Sequence, residues 1–304
     1  MKVLVTPRSL SKGGHPALDV LTAAGCELVF PAPGAQPSEA ALVAALPGAV
    51  AWLAGVEPIT AAVLEAADSL KIISRNGVGL DNIDRSAAKA KGIAIATTPG
   101  ANSRGVAELA LGFMLAFARQ IPGSDAAIKA GGWERRQGIE LEGRTLGIVG
   151  CGQIGRILAR LASALGMTTL GFDLCRDESF APEGFCYDCL EAVFEKSDFL
   201  SLHLPSLGRP LIDAGSIARL RPGVCIVNTA RASHVDEAAM LAALDSGRVA
   251  CYATDVFAVE PPGNCPLARH PKVIATPHAG GYTAESVARA AGMAAQNIVD
   301  HLRG

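Results

Sequence analysis

"TLGIVGCGQIGR", residues 145–156, decides the fold. It reads as a short apolar run, three glycines in a G-x-G-x-x-G spacing (Gly150, Gly152 and Gly155), and the start of an amphipathic segment. With 33 glycines in 304 residues, about 0.4 such spacings arise by chance, so the flanks must decide. "TLGIV" has the composition of a buried strand. Beyond it Ile154, Ile157, Leu158, Leu161, Ala162 and Leu165 keep offsets of 0, 3, 4, 7, 8 and 11, which is one face of a helix, and Gly166 stops it. In that setting the glycines have separate tasks. Gly150 permits the tight turn, and Gly152 lets the backbone around Gln153 and Ile154 approach a pyrophosphate at the positive helix end. Gly155 allows close helix–strand packing. Asp173 ends the next strand, "TTLGF" (168–172), where a carboxylate accepts hydrogen bonds from an adenosine ribose and repels a 2′-phosphate. NAD is therefore preferred over NADP, with Arg176 the nearby cation that would soften the preference.

Outward from this motif, strand and helix patterns alternate over the whole chain. "KVLVT" (2–6), "CELVF" (26–30), "AVAWLAG" (49–55), "LKIISR" (70–75) and "IAIAT" (93–97) read as buried strands with helical segments between them. "TTPGANSRG" (97–105) breaks the pattern. A buried helix follows, with Val106, Leu109, Ala110, Phe113, Met114 and Phe117 on one stripe. After the loop "KAGGWERRQGIELEG" a second series of strands begins: "TLGIV", "TTLGF", "DFLSLHL", "VCIVNTA", "VACYATD" and "KVIATPH". Residues 284–302 form one long helix. Repeated strand and crossover helix implies parallel sheets covered on both faces, here in two α/β units.

Composition narrows the function classes. A net charge of -2 and only 18% charged residues leave no broad basic surface, so nucleic acid is not an expected partner. The longest apolar run, "LALGFMLAFA" (109–118), is half the ~20 residues that span a bilayer, and the N-terminus lacks a signal-peptide pattern, so no membrane association and a cytoplasmic location are expected. Eight cysteines are scattered. Cys186 and Cys189 form a C-x-x-C with no second pair at zinc spacing, so no metal is expected.

The second strand series carries polar residues where open α/β sheets hold ligands. Arg231 follows "VCIVNTA", Glu260 lies in "TDVFAVEPP", and His278 ends "KVIATPH". Taken singly, Arg231 also suits a surface position, Glu260 a turn cap before Pro261, and His278 a satisfied buried imidazole. Their common placement after strands of a dinucleotide-binding unit favours chemistry. Moving a hydride from a secondary alcohol to nicotinamide releases a proton, and imidazole, with an ordinary pKa of ~6.5, takes it near neutral pH. A carboxylate neighbour stabilises imidazolium for the reverse reaction, and a guanidinium forks onto a substrate carboxylate.

At this point the chain resembles the D-isomer-specific 2-hydroxyacid dehydrogenase family, most closely its phosphoglycerate dehydrogenase branch without a regulatory domain. The resemblance rests on "SRNGVGLDNID" (74–84), "TTPGANSRGVAELALG" (97–112), "LEGRTLGIVGCGQIGR" (141–156), "HLP" (203–205), "NTAR" (228–231), "DVFAVEPP" (255–262) and "TPHAGGYT" (276–283). It implies a Rossmann NAD-binding domain, residues 99–285, inserted into a flavodoxin-like substrate-binding domain of residues 1–98 and 286–304, both doubly wound. The active site would lie in the cleft between them. It further implies that Arg231 holds the substrate carboxylate, His278 is the acid/base and Glu260 orients it. Gly150, Gly152, Gln153, Ile154, Gly155, Asp173, His203, Pro205, Thr229, Ala230, Asp255 and Gly280 would contact the cofactor. Arg75, Asn76, Gly77, Val78, Gly79 and Arg135 would contact the substrate. A homodimer is implied, with the helix near 102–118 and the "GGWERR" loop at its interface.

This chain departs from the family where Ala232, Ser233 and His234 replace the usual Gly-Gly after the arginine; His234 is expected at the surface, with a secondary polar contact as the alternative. "WLAGVEPIT" also lacks an arginine that some phosphoglycerate enzymes carry. A phosphoglycerate-like substrate is favoured. Glyoxylate, hydroxypyruvate, sulfolactate and malate types stay open, as does an NADH-sensing co-repressor-like module, which would recruit peptides rather than consume NADH.

Overall fold

The alternation of buried strands and helices builds two all-parallel sheets. The computed structural model describes residues 1–12 and 14–304, and the chain divides into two compact units, Met1–Asn102 with Thr283–Gly304, and Ser103–Tyr282.

In the first unit β1 (Lys2–Val5), β2 (Glu27–Val29), β3 (Ala49–Ala54), β4 (Ile72–Arg75) and β5 (Ala94–Ala96) are ordered β2-β1-β3-β4-β5. Side chains alternate between faces along each strand. Leu4, Trp52 and Ile73 therefore enter one core, and Val3, Val5, Leu53 and Ile72 the other. The helix Ala284–Arg303 closes that second core with Ala291, Ala294, Ala295, Ile298 and Val299, whose mostly small side chains let it lie close to the sheet. Its start is set by Thr283, whose hydroxyl accepts from Ser286 N–H at 3.1 Å. This packing joins the last residues to the first hundred.

The second unit holds β6 (Thr145–Val149), β7 (Thr168–Phe172), β8 (Phe185–Tyr187), β9 (Phe199–Leu202), β10 (Val224–Asn228), β11 (Val249–Thr254) and β12 (Val273–Ala275), in the order β12-β11-β10-β9-β6-β7-β8. The chain runs outward from β6 through β7 to β8, then returns to the other side of β6 and continues outward. Strand order thus reverses between β6 and β9, and the crevice beyond their C-terminal ends is where such sheets bind ligands. The helices Ser103–Ala118 and Gln153–Ala164 cover one face around Leu146, Ile148, Phe199 and Val227. The helices Leu190–Lys196, Ala214–Arg219 and Glu237–Asp245 cover the other around Leu200, Ile226 and Tyr252.

β8 has no counterpart in the sequence reading, because three residues at a sheet edge carry too little pattern. Packing holds it: the Phe185 ring meets Phe180 and Tyr187 edge-on, each at 4.9 Å between centroids. Several strands also stop earlier than their apolar runs suggest. β9 ends before His203 and β12 before His278, so these histidines stand in the loops beyond the strands.

Candidate active site

The glycine loop lies at the C-terminal end of β6. A Cβ on Gly150 would sit 2.4 Å from the His203 carbonyl oxygen, and one on Gly155 would sit 2.2 Å from the Gly150 carbonyl oxygen, so packing alone forbids side chains at both. Gly152 differs. It caps the helix Gln153–Ala164 with an ordinary φ of -71°, and nothing lies within 4 Å of where its Cβ would be. No side chain caps that helix, so its first N–H groups have no side-chain acceptor, the setting in which helix ends bind phosphate.

Asp173, just past β7, shapes this loop. One carboxylate oxygen accepts from Cys151 N–H at 2.7 Å and the other from Cys175 N–H at 2.8 Å. Each oxygen keeps a lone pair for a ribose hydroxyl. Cys151 is buried under the loop, and burial pushes its thiol up to about 12, so it packs rather than reacts. Arg176 donates to the Asp188 carbonyl at 3.1 Å and lies 5.7 Å from the centre of the Tyr187 ring.

Two orphaned polar atoms mark the neighbouring strand ends. His203 Nε2 bonds Ser201 Oγ at 2.8 Å, while its buried Nδ1 has no partner, and burial lowers its pKa to about 4. The buried Thr229 hydroxyl, after β10, is likewise unpartnered. Unsatisfied buried polar groups are costly, and a polar ligand relieves that cost. Together with the bare helix end, they fit the group expected from the sequence, a dinucleotide. Pro205 is exposed in the same loop as His203, and Ala230 N–H is already donated to Asn228 Oδ1 at 3.1 Å.

Arg231, Asp255 and His278 leave the same edge of the sheet, beyond β10, β11 and β12. Arg231 has an extended backbone and donates to the Ala230 carbonyl at 2.8 Å, and its own carbonyl accepts from Asn228 Nδ2 at 2.9 Å. Glu260 and His278, 18 residues apart, are in direct contact. His278 Nδ1 lies 2.9 and 3.1 Å from the two carboxylate oxygens, one of which also accepts from Phe257 N–H at 3.1 Å. The His278 side chain is 56% exposed, which leaves Nε2 open to a ligand. Because a carboxylate only accepts, Nδ1 carries the hydrogen and Nε2 of the neutral ring is the base.

Asp255, expected from sequence as a cofactor contact, is buried and committed to the His278 turn. It accepts from the Thr276 hydroxyl, from Ala279 N–H at 2.7 Å and from Gly280 N–H at 2.8 Å. These bonds bracket His278, whose φ of 53° is left-handed and unfavourable for a residue with a Cβ. Gly280 is buried, and a Cβ there would meet Asp255 at 3.0 Å.

In the first unit, the Arg75 guanidinium folds over Gly77, where a Cβ would lie 2.4 Å from it, and donates to the Asn76 carbonyl. Asn76 Oδ1 is buried without a partner, Val78 is exposed, and Gly79 is partly buried. Arg135 is exposed in the loop after the helix Ile121–Lys129.

One expectation is corrected. His234 is fully buried rather than at the surface, because Ala232–His234 form a 3-10 turn that tucks it beneath the 203–212 loop, where Nε2 meets the Leu204 carbonyl at 3.0 Å. Sequence reasoning also missed Asn228, although it opens the quoted "NTAR". Nothing in that motif tells which neighbour its amide holds.

Sheet order, the bare glycine turn and the Asp173 carboxylate just past β7 are the features of a dinucleotide-binding unit. Comparison with known proteins narrows it. Residues 111–280 match the model of the D-isomer specific 2-hydroxyacid dehydrogenase NAD-binding domain. The chain is 45% identical to the hydroxypyruvate reductase of Thermotoga maritima over 76% of this chain and 77% of that one. It is 42% identical to the D-3-phosphoglycerate dehydrogenase of Pongo abelii over 81% of this chain and 47% of that one, and so matches about half the length of that relative. Among solved structures, the TT0316 protein of Thermus thermophilus superposes with a TM-score of 0.90 at 32% identity, covering 100% of this chain and 97% of that one. The chain belongs to the D-isomer specific 2-hydroxyacid dehydrogenase family, NAD-dependent oxidoreductases of 2-hydroxy and 2-oxo acids.

Proposed function

We propose that the protein moves a hydride between nicotinamide and C2 of a small anionic 2-hydroxy or 2-oxo acid, with His278, Glu260 and Arg231 as its catalytic groups. The observation that carries this reading is the two-oxygen contact of Glu260 with His278 Nδ1, on the sheet edge that also bears the open Gly152 loop. When bound, NAD supplies the hydride acceptor. The protein's own residues do the rest. His278 Nε2 takes the hydroxyl proton during oxidation, and the imidazolium returns it during reduction. Glu260 fixes the ring's orientation and tautomer and offsets the imidazolium charge. Arg231 holds the substrate carboxylate through its planar fork. Arg75, the 76–79 backbone and Arg135 are assigned to substrate recognition, and the first unit to substrate binding. The names of the relatives make hydroxypyruvate and phosphoglycerate-like acids the first substrates to try.

The test is NADH consumption with glyoxylate, hydroxypyruvate and phosphohydroxypyruvate, and NAD reduction with phosphoglycerate, sulfolactate and malate. His278→Ala should lose about 100- to 10,000-fold in turnover while still binding NADH. Near-normal turnover in that variant removes His278 from the mechanism.

A homodimer is part of the proposal. The helix Ile121–Lys129 buries no residue within its own chain, Ile121 and Ile128 on it are exposed, and nearby Trp133 is 84% exposed. Light scattering should give twice the 31.2 kDa chain mass, and a monomer mass refutes the pairing. Among the described residues no helix is long and apolar enough to cross a membrane. The cysteines are free thiols, which suits the cytoplasm.

A further inference from the structure

His234 is a buried, polar side chain that the proposed chemistry does not use. It follows Arg231 by three residues, and its backbone closes the turn: His234 N–H donates to the Arg231 carbonyl at 3.2 Å. Its own carbonyl accepts from Leu211 N–H at 2.9 Å and Ile212 N–H at 2.8 Å. Its ring reaches the same loop at a second place, the Leu204 carbonyl, 3.0 Å from Nε2. Since a carbonyl only accepts, Nε2 carries the hydrogen, and Nδ1 is then an acceptor. That Nδ1 is buried with no partner. An apolar side chain of similar volume would fill the space without an orphaned ring nitrogen, so packing alone does not account for an imidazole here. What the imidazole adds is the bond to Leu204. Leu204 stands between His203 and Pro205, both expected to contact the coenzyme. A further link, Ser206 Oγ to Ser233 Oγ at 3.4 Å, ties the same two segments. Burial, together with the charge of Arg231, lowers the His234 pKa and favours the neutral ring, against the opposing pull of the Leu204 bond.

We propose that His234 is a positioning residue that couples the coenzyme loop to the carboxylate-holding arginine, so that NADH bound against residues 203–205 pre-sets Arg231 for the 2-oxo acid. The proposal rests on the function assigned above. Coupling of this kind is reciprocal: if NADH tightens the acid, the acid tightens NADH by the same factor. A turn built from Ala232 and Ser233 in place of two glycines serves the same end, because it has fewer alternative conformations to explore.

The experiment measures binding of oxamate, an unreactive isostere of a 2-oxo acid, by calorimetry with and without NADH, alongside steady-state kinetics. In the unaltered protein NADH should strengthen oxamate binding by about tenfold or more, within the usual range for coupled sites. In His234→Leu that factor should fall below about threefold. KM for the 2-oxo acid should rise about tenfold while kcat changes little and NADH binding alone is retained. His234→Gln, which keeps a donor toward Leu204, should recover most of the coupling. His234→Met, which fills the space without a donor, serves as the loss variant should the leucine protein not fold. Full coupling in the donor-less variant overturns the proposal, as does a glutamine variant that loses as much as it. An unaltered protein that neither binds NADH nor turns over any 2-oxo acid refutes the assigned function. One that does both, with the leucine variant indistinguishable from it, refutes the coupling alone.

Discussion

Replacing Asp255 by alanine should damage stability and turnover together, and the structure gives the size of the effect. The carboxylate is buried and accepts two backbone N–H groups, Ala279 at 2.7 Å and Gly280 at 2.8 Å, besides the Thr276 hydroxyl. Hydrogen bonds to a charged acceptor contribute about 1.5–3 kcal/mol each, so losing the two backbone bonds costs about 3–6 kcal/mol. For a unit of this size that is a fall of roughly 10–20 °C in Tm. The same bonds hold His278 at a φ of 53°, which the turn would leave once released. Displacing a reacting group by about 1 Å costs on the order of 100-fold in rate, so kcat should drop at least that far even where the variant is folded. Asp255→Asn sharpens the test. An asparagine is nearly the same shape, but Ala279 and Gly280 N–H bond different oxygens, so its NH2 must face one of these donors while its oxygen keeps the other, and it should recover at most about half of the stability loss. The assays are thermal unfolding by circular dichroism and NADH-linked turnover at a temperature where each variant is folded. A folded Asp255→Ala protein with Tm within about 2 °C and kcat within about threefold of the unaltered enzyme would falsify this account of the turn.

Three further outcomes are expected. Gly155→Ala should lower Tm, because its Cβ lies 2.2 Å from a backbone oxygen, whereas Gly152→Ala, with nothing within 4 Å, should keep its stability and weaken NADH binding by about tenfold or more; equal effects in both assays would contradict the division of labour. His203 has a folded pKa of about 4 against 6.5 unperturbed, so between those values only the unfolded chain binds its proton and stability falls as pH drops from 6.5 to 4, by up to about 3 kcal/mol, with no contribution above that window. Urea titrations at pH 7, 5.5 and 4.5 should show this loss, and His203→Gln should lack that part of it; an identical pH dependence in the variant rules His203 out as the cause. Iodoacetamide at pH 8 should label the exposed Cys175, Cys186 and Cys189 but spare Cys151, whose thiol burial pushes up to about 12, and native-state labelling of Cys151 would contradict its burial.

Local signals were sufficient for most of the secondary structure, the edge strand β8 apart, and for the coenzyme class. The strand–turn–helix of residues 145–165 can be read from glycine spacing and a 3.6-residue period, because both signals are carried by residues close in the chain. The same holds for the parallel architecture, since an alternating strand and helix pattern leaves few ways to pair the strands. Types of chemistry were legible too: an imidazole, a carboxylate and a guanidinium each after a strand. Partnerships were not. That Glu260 meets His278 at 2.9 Å, that Asp255 is spent on the 276–280 turn, and that His234 is buried against Leu204 all depend on which loops the sheet brings together. A polar side chain in a loop reads the same in sequence whether it faces water or a carbonyl 30 positions away. Only the folded sheet, by removing water from one side and supplying one partner on the other, makes that choice.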